Sequence, residues 1–192
     1  MAAQILQMTG ISKSFPGVKA LKKVKFDLNE GEIHALMGEN GAGKSTLMKI
    51  LTGIFNRDEG EITYMGEPIH LKNTREAQGK GICIIHQELN MMTHLTVAQN
   101  IFIGREKTHG IFLDEKSINV MAKNLLNKLC IDIYPKELVC NLTVGRQQMV
   151  EIAKAISFKS RVLVLDEPTA ALSDTEIEAL FRVMRDLNAH GV

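Results

Sequence analysis

The residue types best suited to chemistry lie side by side in Gly38-Glu39-Asn40-Gly41-Ala42-Gly43-Lys44-Ser45-Thr46, which satisfies the G-x-x-x-x-G-K-[ST] pattern of a phosphate-binding loop. Glycines at 38, 41 and 43 let the backbone curl so that successive N–H groups face one concavity. A helix that starts at this point adds the positive end of its dipole, so an anion fits there. The pattern predicts a nucleoside triphosphate: Lys44 reaches the β- and γ-phosphates as a point charge, the Ser45 hydroxyl ligates Mg2+, and Thr46 adds a contact on the α-phosphate side. Glu39, Asn40 and Ala42 complete the loop as candidate nucleotide contacts. A glycine-rich turn with a merely solvated lysine is the plain alternative, and it leaves the flanking strand and helix patterns unexplained.

A second group of candidates sits far along the chain. The run Arg161-Val162-Leu163-Val164-Leu165 ends in Asp166-Glu167. Mg2+ held through a hydroxyl and phosphate oxygens needs a carboxylate on a rigid strand, and Asp166 is the candidate. Glu167 is placed to polarise an attacking water as a general base. Two carboxylates that simply end a strand in solvent would not need four apolar residues burying the strand that leads to them. Gln87 follows the apolar run Gly81–Ile85 and is a candidate to contact Mg2+ and orient water, although a lone Gln after a strand is weak by itself. His86 reads as a solvated or satisfied imidazole. The stretch Leu142-Thr143-Val144-Gly145-Arg146-Gln147-Gln148 offers a helix N-terminus with a hydroxyl and a glycine, which suits either an anion or an ordinary cap. Asn127-Lys128 is followed by Leu129-Cys130, so the Asp that would read guanine is missing.

These candidates need scaffolding on both sides. Ile33–Met37 is predicted as a buried strand leading into the loop, and Leu47, Met48, Ile50 and Leu51 follow at helical spacing, with Gly53 at the stop. Before them, residues 3–33 read as short strands and turns: Ile5, Leu6 and Met8, a turn at Phe15-Pro16-Gly17, and a period-two stretch Val24–Leu28. After them, Glu61–Met65 and Pro68–Leu71 flank Gly66-Glu67 as a hairpin, and Asn73 with Glu76 caps a short helix ending at Gly79. Residues 90–157 turn helical. Thr96 with Gln99 forms a capping box, Asp114 opens a helix with Ile118, Met121, Leu125 and Leu129 on one face, and Thr143 caps a third helix carrying Met149, Val150, Ile152, Ala153 and Ile156. Ser173 and Glu176 form another capping box, before a helix striped by Ile177, Leu180, Phe181, Met184 and Leu187.

Composition excludes several classes. At 192 residues the chain suits one domain, and 45% hydrophobic with 23% charged residues suits a globular core rather than disorder. Lys and Arg number 23 against 22 Asp and Glu, so no basic field argues for nucleic acid. Cys83, Cys130 and Cys140 form no C-x-x-C pair and are odd in number, which fits reduced thiols. The first residues lack the pattern of a signal peptide, and no apolar run reaches bilayer length.

Taken in this order, the residues resemble an ATP-binding cassette (ABC) ATPase over the entire chain. The phosphate loop is Gly38 to Thr46, the Q-loop glutamine is Gln87, and the family's signature L-S-G-G-Q appears as Leu142-Thr143-Val144-Gly145-Arg146. The Walker B strand is Val162 to Asp166 with Glu167 as catalytic glutamate, the D-loop falls at Ala170-Ala171-Leu172-Ser173, and Phe15 matches the aromatic that stacks on adenine. Within the family, Phe15–Leu21, His34–Thr46 and His86–Asn90 resemble the ATPases of bacterial monosaccharide importers of the ribose and galactose type.

The resemblance implies an α/β fold, a RecA-like P-loop NTPase core with an N-terminal antiparallel β subdomain and an inserted α-helical subdomain. Residues 1–89 and 158–192 would form the core with its β subdomain, and 90–157 the helical part. It implies ATP and Mg2+ as ligands, with Lys44, Gln87 and Glu167 catalytic and Ser45, Gln87 and Asp166 around the metal. It also implies that Thr143 and Gly145 act in trans, on ATP held by a second cassette from the same full-length chain or a homodimer. Further partners would be transmembrane permease subunits and, indirectly, a periplasmic or extracellular sugar-binding protein, at the cytoplasmic face of the inner membrane and without nucleic acid. Val144 and Arg146 depart from the signature, Ser173 stands where a D-loop aspartate is usual, and the switch histidine would fall beyond Val192, which predicts ATP binding with poor turnover. An ABC exporter or lipoprotein-release ATPase, a soluble ABC protein acting on ribosomes or DNA, and a nucleotide-gated binding module are the competing readings.

Overall fold

The computed structural model describes residues 3–86, 90–109, 112–170 and 172–192. The chain divides into two compact units, Met1–Cys83 with Leu187–Val192, and Ile84–Asp186.

The first unit is built on β1 (Gln4–Phe15) and β2 (Val18–Asn29), twelve residues each and antiparallel. They are longer than the short strands the sequence suggests, because register shifts let both run on past local irregularities. One shift lies between Met8 and Ile11, so that both are fully buried despite an odd spacing. Pro16-Gly17 forms the two-residue turn that sets Phe15 opposite Val18. Helix α1 (Lys44–Leu51) follows, and then β3 (Glu59–Tyr64) pairs antiparallel with the other side of β1. Strand β4 (Glu67–Pro68) pairs with β3, giving the order β2-β1-β3-β4. The turn is Met65-Gly66, one residue earlier than expected, with φ of 52° and 81°. Leu6, Met8 and Ile62 fill the sheet's buried face, each worth about 1.5–3 kcal/mol. Lys13 and the Ser14 N–H both reach Asp58, at 2.7 Å each, tying the polar turn to β1. Helix α2 (Thr74–Gly79) is capped by Asn73, whose side chain accepts from the Glu76 N–H at 2.9 Å.

One expectation fails here. Ile33–Met37 is not a strand, and it is exposed, with Met37 at 87%. An apolar run becomes a strand only when a neighbour completes its ladder, and no strand among the described residues pairs with it. The Glu32 carboxylate accepts from the Asn29 N–H and meets the His34 ring at 2.9 Å, and Phe26 of β2 packs edge-on against that ring at 5.1 Å.

The second unit begins within β5 (Ile82–Ile85) and ends within α6 (Asp174–Ala189), and between them the order is α3 (Val97–Phe102), the paired short strands β6 (Thr108–His109) and β7 (Phe112–Leu113), α4 (Glu115–Lys128), α5 (Val144–Ile156) and β8 (Val162–Leu165). Strand β5 is joined to β8. The Thr96–Gln99 capping box opens α3 as expected, with bonds of 2.9 and 3.2 Å. Buried Asn100 then stitches α3 to the turn before it, donating to Met92 O and Thr96 O at 3.0 Å each. Arg105 stacks 3.5 Å from the Phe158 ring centroid and donates to Ser157, joining the end of α3 to the end of α5. Asp114 caps α4, but the buried face is Ile118, Ala122, Leu126 and Leu129, one position over from the predicted stripe of Met121 and Leu125. Likewise α6 buries Leu180, Val183 and Leu187 and turns Phe181 outward. No helix among the described residues is long and apolar enough to cross a membrane.

Candidate nucleotide site

Gly41 and Gly43 take φ of 84° and 90°, a left-handed backbone that L side chains avoid, and this curls the loop ahead of α1. Gly43 has a second reason to lack a side chain: a Cβ there would lie 2.7 Å from both Ala20 O and a Leu21 methyl. That close seat is what pins the start of α1 against β2. A 3.1 Å bond from Ala42 N to Glu39 O tightens the turn. Lys44 folds back across the loop and donates to Gly38 O and Glu39 O, at 2.6 and 2.9 Å.

The α1 N-terminus is open. The N–H groups of Lys44, Ser45 and Thr46 have no acceptor one turn earlier, and Gly43 supplies no side-chain cap. Gly38 to Ala42 are exposed. Uncapped donors, a positive helix end and an ammonium folded over the loop make a cradle that fits a polyphosphate. Phe15, on the same unit, is half-buried, with Phe55 edge-on at 5.3 Å and Lys13 Nζ 5.6 Å from its ring centre.

In the second unit the Asp166 N–H donates to Ile85 O at 3.0 Å, which fixes this carboxylate at the end of β8 beside the end of β5. Glu167 follows at φ 47°, a conformation costly for a side chain of this size and of the kind stored at functional sites. The strand leading to them is less buried than the sequence implies. Val162 is fully buried, and Leu163 to Leu165 only partly, since β8 has β5 alone beside it among the described strands. No cluster of three or more His, Cys, Asp or Glu gathers among the described residues. Gln87 and Ala171 lie outside the described residues.

Thr143 caps α5 as the sequence predicts, accepting from the Arg146 N–H at 3.3 Å. The Arg146 guanidinium turns away to Asp132 O at 2.7 Å. Gly145 is buried, and what covers it is Glu176: a Cβ on Gly145 would collide with the Glu176 carboxyl. Thr143 Oγ1 donates to Glu176 Oε1 at 2.9 Å, while Glu176 Oε2 accepts from the Ser173 N–H and hydroxyl at 3.0 and 2.8 Å. These bonds hold the Glu176 carboxyl below its usual range, the Ser173 N–H most strongly, then the Ser173 hydroxyl and the Thr143 hydroxyl, with Gly145 N–H contributing. The Ser173–Glu176 capping box is legible in the sequence; the reach of Glu176 to α5 across 33 residues is not.

A family model described as ABC transporter matches residues 21–170. The chain belongs to the ABC transporter family. It is 58% identical over 190 residues to a ribose/galactose/methyl galactoside import ATP-binding protein 2 of Burkholderia cenocepacia, a match covering 98% of this chain and 37% of that one. It is 50% identical over 190 residues to the ribose import ATP-binding protein RbsA of Halalkalibacterium halodurans, covering 98% and 38%. The chain therefore spans less than two-fifths of the length of these curated relatives. Among solved structures, it resembles a nucleotide-free ATP-binding cassette from an ABC transporter, at TM-score 0.84 and 26% identity over 98% of this chain and 79% of that one. A cassette in its ADP conformation matches at TM-score 0.83 and 27% identity, over 98% and 78%. The fold is that of an ABC cassette, as the order of the sequence motifs implies.

Proposed function

We propose that the chain is the ATP-binding and hydrolysing cassette of an ABC importer, coupling ATP hydrolysis to monosaccharide uptake through separate transmembrane subunits. The observation that carries this is the open, glycine-curled N-terminus of α1 with Lys44 folded over it. In this reading the loop N–H groups and Lys44 hold the β- and γ-phosphates, Phe15 stacks on adenine, and Ser45, Gln87 and Asp166 surround Mg2+. Mg2+, when bound, neutralises charge on the phosphate oxygens. Glu167 accepts a proton from the attacking water, whose oxygen bonds to the γ-phosphorus as the bond to the β-phosphate oxygen breaks, releasing ADP and phosphate. Residues 1–89 and 158–192 act as the catalytic core with its β subdomain, and 90–157 as the helical subdomain. Thr143 and Gly145 serve ATP on a second cassette. The names of the relatives, ribose and galactose import proteins, support the sugar and the direction of transport. The proposed location is the cytoplasmic face of the inner membrane, docked on permease subunits, with a sugar-binding protein delivering the cargo and no nucleic acid involved.

The test is co-purification of the full chain with the membrane proteins it binds, then ATPase assay in liposomes. Recovery of a permease whose ATPase is stimulated by a pentose or hexose with its binding protein is the predicted result. Recovery of ribosomes or DNA instead, or a permease that moves cargo outward, contradicts it.

A further inference from the structure

The proposed role of the signature segment gives Thr143 Oγ–H and the Gly145 N–H a phosphate to bind, yet the hydroxyl already donates to a carboxylate of the same chain, and that carboxyl lies directly over Gly145. Glu176 bridges two helix starts. Through Oε2 it accepts from the N–H and hydroxyl of Ser173 at the start of α6, and through Oε1 it sits on the N-terminus of α5, against the buried backbone of Gly145. We propose that Glu176 is an autoinhibitory occupant of the signature helix, a carboxylate held where a phosphate of the opposing cassette's ATP would bind, which must withdraw before two cassettes close. This rests on the reading of Thr143 and Gly145 as trans contacts.

The competition follows from chemistry. One hydroxyl proton cannot serve two anions at once, and a carboxylate left within a few ångströms of a phosphate repels it. Geometry allows the exchange without unfolding. Glu176 is only partly buried, and its α6 bonds run through the other oxygen, so a rotamer change frees α5 while the backbone of α6 stays in place. Arg146, the one cation of the segment, is held by Asp132 O and does not offset the carboxylate.

Glu176→Gln is the informative variant, because Gln also completes a capping box while removing the charge. Glu176→Asp is the second, since one methylene less keeps the charge and draws it back from Thr143. The experiment titrates the full chain with a non-hydrolysable ATP analogue and Mg2+. Closure is read as association by sedimentation or, where the second cassette is on the same chain, as compaction by small-angle scattering; occupancy is read by a fluorescent analogue. Both variants are expected to close at about three- to tenfold lower analogue concentration, with occupancy of unpaired cassettes unchanged, and with faster hydrogen exchange at residues 144–146 before nucleotide is added. Closure of both variants at the wild-type concentration or higher overturns the inference alone. Occupancy without closure in wild type and variants overturns the trans reading, and the inference with it.

Discussion

Two helices in this chain begin with the same kind of sequence, a glycine and a hydroxyl at the first turn, and they end up in opposite states. The α1 start has Gly43 as its cap, no side-chain acceptor, and a lysine leaning on carbonyl oxygens. The α5 start has Thr143 as its cap and Glu176 lying over Gly145. A helix end that is left bare invites an external anion, since its N–H groups are otherwise met only by water. A helix end furnished with a carboxylate of its own has to exchange that group for any ligand. The difference is one of readiness: in the proposed function the first binds nucleotide unaided, and in the further inference the second waits for a competitor strong enough to displace Glu176.

The comparison breaks most visibly at Lys44. Lys44→Ala removes a charged donor worth about 1.5–3 kcal/mol, so equilibrium titration with MgATP should show binding weaker by about 10–150-fold; unchanged binding would mean that the bare terminus is not the site. Gly43→Ala should cost about 2–4 kcal/mol of stability in urea unfolding, from a left-handed φ and a Cβ 2.7 Å from Ala20 O. At the other helix, Thr143→Ala loses an N-cap, about 1 kcal/mol, in the same measurement, and leaves Glu176 at the terminus. A cost above about 2 kcal/mol would mean that Thr143 alone holds α5.

The smallest effect is in pH, and its signs differ. Glu176 sits below its ordinary value of 4.5 in the fold, so its stabilisation is complete above that value and is lost as pH falls through the folded pKa. Glu151 is raised from 4.5 because burial penalises its charge, against smaller opposing pulls from Lys154, the Asn90 N–H and His86. Its contribution is therefore fullest below 4.5 and is lost as pH rises through the folded pKa. Thermal midpoints across acid pH should flatten above 4.5 in Glu151→Gln and below 4.5 in Glu176→Gln. The same curve for both variants and wild type would refute these assignments.

What was legible in the sequence was whatever three or four residues decide. Asn73 with Glu76, Thr96 with Gln99, Asp114 with Ser117 and Thr143 with Arg146 all form the predicted caps, because donor and acceptor share one turn. The glycines of the phosphate loop announce their dihedrals for the same reason. Where a distant partner decides, the reading fails or is silent. Ile33–Met37 has the composition of a strand, but pairing needs a ladder neighbour that its own residues cannot specify. On α4 the ends of the predicted stripe, Ile118 and Leu129, are buried as expected and its middle is not, since Ala122 is too small to register as core beside Met121 and Leu125. Glu176 was visible as a cap for Ser173 and invisible as a plug for α5, because nothing in either segment encodes the other.

The most direct test follows backbone amides of the unpaired chain by NMR while MgATP is added. The account predicts large shifts and slowed exchange at residues 43–46, with those at 144–146 left unchanged at the same nucleotide concentration. A response at 144–146 with none at 43–46 would contradict it, by showing that the furnished helix start is the one that takes the phosphate.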